Sequence, residues 1–188
     1  MSSAIQILRD EHDKILEMLD CLEALVQRLA AGESFPVETL SDLTDFFVLF
    51  ADRSHHGKEE DLLFPLLERK GVPRQGGPLG CMLGEHEEGR AFVGMMKQNT
   101  KESARGNEAA RRAWTGAARG YAQLLRKHIS KENEILFQIA EHILSNEEQA
   151  ELELQFAQAQ AQKLDQATLS KLEQTRKKIA QELAAAAE

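Results

Sequence analysis

Four histidines stand where an amphipathic helix would be expected to bury a leucine: His12, His56, His86 and His128. Each falls on the apolar stripe of a different segment. Two begin an H-x-x-x-E step, His56 to Glu60 and His128 to Glu132. A four-residue step puts both side chains on one helix face, one turn apart. Singly, a stripe histidine is usually a hydrogen-bonded core residue, and a His–Glu step is common on helix surfaces. Four imidazoles and two carboxylates aimed at one axis are different, because a dry core tolerates carboxylates poorly without a common partner. A shared metal supplies that partner. No cysteine lies on a stripe, which disfavours structural zinc and iron–sulfur clusters. Mixed imidazole and carboxylate donors suit iron or manganese, and bundle interiors house carboxylate-bridged pairs of such ions. Two bridging carboxylates and four imidazoles would fill most positions on two octahedral ions. Room would remain for a bridging oxygen and a small exogenous ligand.

The elements that must position these residues follow from the helical period. In the first segment Ser2 and Ser3 are candidate caps. Ile5, Leu8, Ile15, Leu19, Leu22, Val26 and Leu29 form a 3-4 stripe that His12 completes. Gly32 is a natural stop. The second segment spans about 37–70, with a stripe of Phe46, Leu49, Arg53, His56, Glu60, Leu63 and Leu67. Pro65 should kink or break it. The run "KGVPRQGGPLG" reads as a loop. The third segment, about 79–102, carries Leu79, Met82, His86, Gly89, Val93 and Met96. The fourth, about 108–144, carries Trp114, Ala118, Tyr121, Leu125, His128, Glu132, Ile135 and Ile139. No segment alternates with the period of a strand. The expected fold is all-α: an antiparallel up-down four-helix bundle over 1–144. A C-terminal helical extension over 145–188 carries thin stripes, Leu152 with Phe156 and then Leu169, Leu172, Ile179 and Leu183. That extension is expected to dock on the bundle or to offer a seam for a homodimer or a protein partner.

Composition sets the outer bounds. A chain of 188 residues with net charge −8 suits one domain with an appendage. That charge disfavours nucleic acid or an anionic membrane as a partner. Cys21 and Cys81 are far apart and form no redox or zinc pair. The longest apolar run, 46–51, is too short to span a bilayer. With no signal peptide ahead of the first helix, a cytoplasmic location is the expectation.

The pieces "LRDEH", "HHGKEEDLLFP", "GPLGCMLGEHEEGR" and "LLRKHISKENEILF" agree in order, spacing and flanking residues with one family. Over 1–144 the chain resembles the hemerythrin-like, or HHE cation-binding, domain. The resemblance implies a centre of two non-heme iron ions bridged by an oxo or hydroxo group, with manganese or zinc as substitutes. It implies His12, His56, Glu60, His86, His128 and Glu132 as metal ligands, with Glu60 and Glu132 bridging. Members of the family bind oxygen, sense oxygen or iron, or handle nitric oxide, peroxide and iron delivery.

One departure stands out. The archetypal hemerythrins use five histidines, two of them four apart on the third helix. Here His86 has Met82 and Arg90 at those distances, so one ligand is missing. Candidates to replace it are His55, Glu59, Tyr121 or solvent. The heptad frame puts His55 and Glu59 about 100° off the stripe, which favours a supporting or surface role. Tyr121 reads better as a core aromatic. His142, near the end of its helix, reads as surface, and Met82, Met95 and Met96 read as core. The leading expectation is a di-iron protein that binds oxygen, peroxide or nitric oxide in the bundle core. The alternatives are an iron- or oxygen-responsive sensor signalling through the C-terminal helices, and an iron storage or donation protein.

Overall fold

The computed structural model describes residues 3–184, so Ser2 lies outside the described residues. Among these residues every regular element is helical. The first rod is α1 (Ala4–Ala30). It starts where Ser3 Oγ accepts the Gln6 N–H at 3.1 Å. It stops where Gly32 takes φ 94°, a conformation that glycine adopts without strain, and Glu33 N–H returns to the Arg28 carbonyl at 3.1 Å.

The second rod changes its winding along its length. It comprises α2 (Val37–Phe46), a π-helical stretch π1 (Phe47–His56), a second one π2 (Glu59–Leu63), and α3 (Phe64–Arg69). Its buried residues recur every four positions as Phe47, Ala51, His55, Glu59, Leu63 and Leu67. Such a row would wind around an α-helix of about 3.6 residues per turn. It stays on one face when α turns are mixed with the wider i→i−5 turns. Pro65 does not end the rod. It sits just past the change from π to α pairing, where the regular ladder is already interrupted.

The third rod is α4 (Pro78–Ala104). The fourth is α5 (Glu108–Lys131), π3 (Glu132–Leu136) and α6 (Phe137–Ile143). Asn107 caps it, its side chain accepting the Ala110 N–H at 3.0 Å. Each rod packs on the next, and the fourth also packs on the first. The apolar interior is divided into two cores. One holds Ile15, Leu19, Phe47, Trp114 and Leu125, the other Ile5, Leu8, Leu63, Met82 and Phe137. On every rod a buried histidine falls between residues of the two, so a polar layer crosses the bundle. The chain passes from the second core to the first along rods one and three, and back along rods two and four.

The extension covers the bundle. α7 (Asn146–Lys163) begins with a capping box between Ser145 and Glu148. It adds Leu152 and Phe156 to the second core. α8 (Gln166–Ala184) adds Ile179 and Leu183 to the first. Arg176 pairs with Glu17 of α1, and Lys163 reaches Asp61 at 2.6 Å. Among the described residues no helix is long and apolar enough to cross a membrane.

Candidate metal centre

Seven side chains meet in the polar layer: His12, His55, His56, Glu59, His86, His128 and Glu132. All are at most 3 % exposed. They form two groups, each with its candidate donor atoms within 4.8 Å of one another. One is His56, Glu59, His86 and His128; the other is His12, His55, Glu59 and Glu132. Glu59 belongs to both. Its Oε1 lies 3.5 Å from His55 Nε2 and its Oε2 lies 3.6 Å from His86 Nε2. Glu132 also faces both groups, with Oε2 at 3.2 Å from His12 Nε2 and 3.3 Å from His128 Nε2. Both carboxylates thus face the two groups at once.

The imidazoles share one orientation. Each turns Nδ1 outward to an oxygen and Nε2 inward. His12 Nδ1 lies 2.9 Å from Asn133 Oδ1, and His55 Nδ1 lies 2.9 Å from Glu11 Oε2. His86 Nδ1 is 2.6 Å from Glu60, and His128 Nδ1 is 2.9 Å from Glu85. His56 Nδ1 stands 3.5 Å from Asp52 and is the exception, buried without a hydrogen bond. Cations back these acceptors: Lys58 on Glu11, Arg90 on Asp52 and Glu60, and Lys131 on Glu85. Burial alone would raise the Asp52, Glu60 and Glu85 carboxyls. Their imidazole and cation partners outweigh it and hold all three below the usual range. An ionised carboxylate only accepts, so the facing Nδ1 must donate and the inward Nε2 carries a lone pair.

That inward set has no protein partner. His12, His55 and His56 Nε2 and all four oxygens of Glu59 and Glu132 are buried without a hydrogen bond. The Nε2 atoms of His86 and His128 face each other at 3.1 Å, lone pair to lone pair. Buried polar atoms are rarely left in this state, and cations between them relieve every one of these conflicts. The residues therefore fit a pair of metal ions. Burial, then neighbouring imidazoles, pushes the His55 and His56 pKa values well below normal, which keeps both rings neutral as metal binding requires. Burial and the adjacent Glu132 push the Glu59 carboxyl well up. Burial acts on Glu132 too, but His128, His12 and His86 outweigh it and bring that carboxyl down to about 2.

Comparison with known proteins agrees with this geometry. The family model of the hemerythrin HHE cation binding domain matches residues 3–140. The chain belongs to the hemerythrin HHE cation-binding family. Among curated proteins it is similar to the iron-sulfur cluster repair protein DnrN of Neisseria gonorrhoeae. The two are 32% identical over 140 residues, which is 70% of this chain and 85% of that one. It is also similar to the iron-sulfur cluster repair protein YtfE of Salmonella typhimurium, 38% identical over 88 residues, or 45% of this chain. That match spans only 39% of the Salmonella protein. No solved structure matches the chain.

Set against the expected HHE ligand set, the structure brings His12, His56, His86, His128 and Glu132 together and leaves Glu60 out. The heptad frame puts Glu60 inward and Glu59 off-axis; the structure reverses them. Glu59 is fully buried, whereas the Glu60 side chain is 23% exposed and holds His86 from outside. The wide turns of π1 and π2 are the reason, because each shifts the inward face by about one residue. The same shift turns Arg53 to solvent and brings His55 inside next to His56. His55 thereby becomes the fifth inward imidazole. Tyr121 is buried against Phe47, with ring centroids 4.9 Å apart, outside both groups. His142 is exposed, and so is Met95, unlike Met82 and Met96. A signal for Glu59 was present in the chain. His55-x-x-Lys58-Glu59 leads to Leu63-Phe64 with the same spacing by which His128-x-x-Lys131-Glu132 leads to Leu136-Phe137.

A cavity of about 240 Å³ adjoins the group with three imidazoles. Val48, Asp52, His56, His86, Arg90 and Tyr121 are among its walls.

Proposed function

We propose that the chain is a non-heme di-iron protein that binds a small oxidant (oxygen, peroxide or nitric oxide) at this centre. The observation that carries the reading is the set of seven buried donors, split into two groups that share Glu59, with both carboxylates and the Nε2 atoms of His12, His55 and His56 left without a hydrogen bond. His56, Glu59, His86 and His128 would hold one ion; His12, His55, Glu59 and Glu132 would hold the other. When bound, the ions supply electrons and open coordination positions. The chain does the rest. Glu60 and Glu85 accept the Nδ1 protons of His86 and His128, which fixes those tautomers and raises the basicity of the inward nitrogens, and Asp52 places its charge beside His56 Nδ1. Phe137 stacks on His12 at 5.3 Å and Phe64 on His86 at 5.9 Å, so the rings are shielded from water on those faces. The cavity beside His56 and His86 suits a ligand of a few atoms. Arg90 is already engaged by carboxylates, so the wall it forms favours an uncharged ligand over an anion.

The test is direct. Protein loaded anaerobically with ferrous iron should carry two irons per chain. Its electronic and Mössbauer spectra should change on adding one equivalent of oxidant. A chain that takes up no iron refutes the centre. Two irons indifferent to oxygen, peroxide and nitric oxide refute the oxidant reading alone.

The names of the relatives favour a second reading, iron donation in the repair of iron–sulfur clusters. The chain would supply iron rather than carry a cluster, since Cys21 is buried, Cys81 is exposed and the two form no pair. Donation requires labile iron. Loaded protein should then transfer iron to an apo-ferredoxin supplied with sulfide and thiol. An iron pair that resists both transfer and a strong chelator rules donation out.

A further inference from the structure

We infer that Arg90 is a positioning residue that sets two of the three imidazoles of one iron site through a single guanidinium. The inference rests on the two-iron reading above. Arg90 lies four residues after His86 on α4, so the two side chains share a face one turn apart. Its Nε donates to Asp52 Oδ1 at 2.8 Å and its Nη2 to Glu60 Oε1 at 2.7 Å. Its Nη1 is taken by Glu87 at 2.6 Å. The same Asp52 oxygen stands 3.5 Å from His56 Nδ1, and the same Glu60 oxygen stands 2.6 Å from His86 Nδ1. One planar fork on the third rod therefore ties down two carboxylates of the second rod. Glu60 aims the His86 ring through its hydrogen bond, and Asp52 sets its charge beside His56 Nδ1, which has no hydrogen bond of its own.

The two rings are stacked, with centroids 3.8 Å apart and planes 11° from parallel. Stacked rings that present Nε2 to one ion leave little freedom for either to rotate. Without the guanidinium, Asp52 and Glu60 would repel each other, turn to solvent and release both imidazoles. The cations on the other outer acceptors, Lys58 and Lys131, serve Glu11 and Glu85 instead. A lysine at 90 would keep the charge and lose the fork, since an ammonium acts as a point charge. The second group, with His12 on Asn133 and His55 on Glu11, does not touch Arg90. Arg90 therefore acts on one iron of the two.

The experiment follows iron removal by a chelator from fully loaded Arg90→Lys, with Mössbauer spectra of the same samples. Wild type and Arg126→Lys serve as references. Arg126 bridges Asp20 and Glu23, neither of which is a donor or an outer acceptor of the centre, and controls for loss of a bidentate clamp as such. In Arg90→Lys one of the two irons should leave about 10- to 100-fold faster. One of two Mössbauer components should change, and the other iron should behave as in wild type. Asp52→Asn breaks the clamp from the opposite side and should give the same single fast phase if Arg90→Lys fails to fold. Release of both irons with one accelerated rate, or rates and spectra matching Arg126→Lys, overturns the inference and leaves the two-iron reading standing. Wild type that binds no iron overturns both.

Discussion

Replacing Glu59 by glutamine should lower iron binding and stabilise the metal-free protein at once. Glu59 is fully buried, and neither oxygen has a hydrogen bond. Burial, Glu132, Glu11 and Glu60 all push its pKa well above 4.5. A carboxyl with a raised folded pKa binds its proton more tightly than the unfolded chain does. The folded apoprotein therefore loses about 1.4 kcal/mol per pH unit as the pH climbs from the ordinary carboxylate range to the folded value. Glutamine removes that loss, and its amide can donate to the Nε2 lone pairs of His55 or His86. The expected gain at pH 7 is about 1–3 kcal/mol. For a chain of this size that is roughly 2–12 °C in the midpoint of thermal unfolding. The gain should vanish below the ordinary carboxylate pKa. Iron per chain, measured after loading and desalting, should fall from two to one or none, because both groups lose their shared donor. Glu60→Gln should do the opposite. It weakens the contacts to His86 and Arg90 of a partly exposed side chain, costs about 1 kcal/mol, and keeps two irons. If Glu59→Gln keeps two irons while Glu60→Gln loses them, Glu60 returns to the ligand set and the inward face drawn above is wrong.

Other outcomes follow from the same contacts. His55→Ala should bring iron toward one per chain, while His142→Ala, on the surface, should leave it at two; equal effects would remove His55 from the centre. Because burial holds the His55 and His56 pKa values well below 6.5, the unfolded chain takes up protons there that the folded apoprotein refuses. The urea midpoint of the apoprotein should therefore fall as the pH drops through 6.5, at up to about 1.4 kcal/mol per pH unit for each ring. His55→Gln should flatten that slope, and identical slopes would contradict the argument. Phe156→Ala should cost about 3–5 kcal/mol in urea unfolding without changing the iron count, since α7 fills the second core but supplies none of the seven donors. A neutral effect would mean that the extension does not dock as described.

The helices were legible because their signals are local. Ser3, Gly32 and the Gly/Pro-rich run 70–80 mark ends that depend on a few neighbouring residues. The single stripe histidine on α1 and on α4, and the His128–Glu132 pair, were readable because α-helical winding holds up to each of them. Around residues 47–63 that premise fails. A period fixed at the α value assigned Arg53 and Glu60 to the interior, where the structure has Ala51, His55 and Glu59. The repeated H-x-x-K-E spacing would have corrected it, because two helices that serve one centre in the same way tend to present it with the same short run.

The sequence by itself determined that four helical segments would each bring histidine to a common apolar stripe, and that such a set needs a cation. It did so because helical period and the cost of buried charge are set by residue type and spacing alone. Only the tertiary structure decided that His55 faces inward as well as His56, and that Glu59 does so in place of Glu60. His55 and Glu59 enter because the second rod winds through π turns. Those turns have no clear local signature and pay off only once Glu59 can face imidazoles from the three other rods. The tertiary structure also decided that the thin stripes of α7 and α8 are covered by the chain's own two cores. An amphipathic stripe states that something must cover it; which surface does so depends on where the rest of the chain has folded.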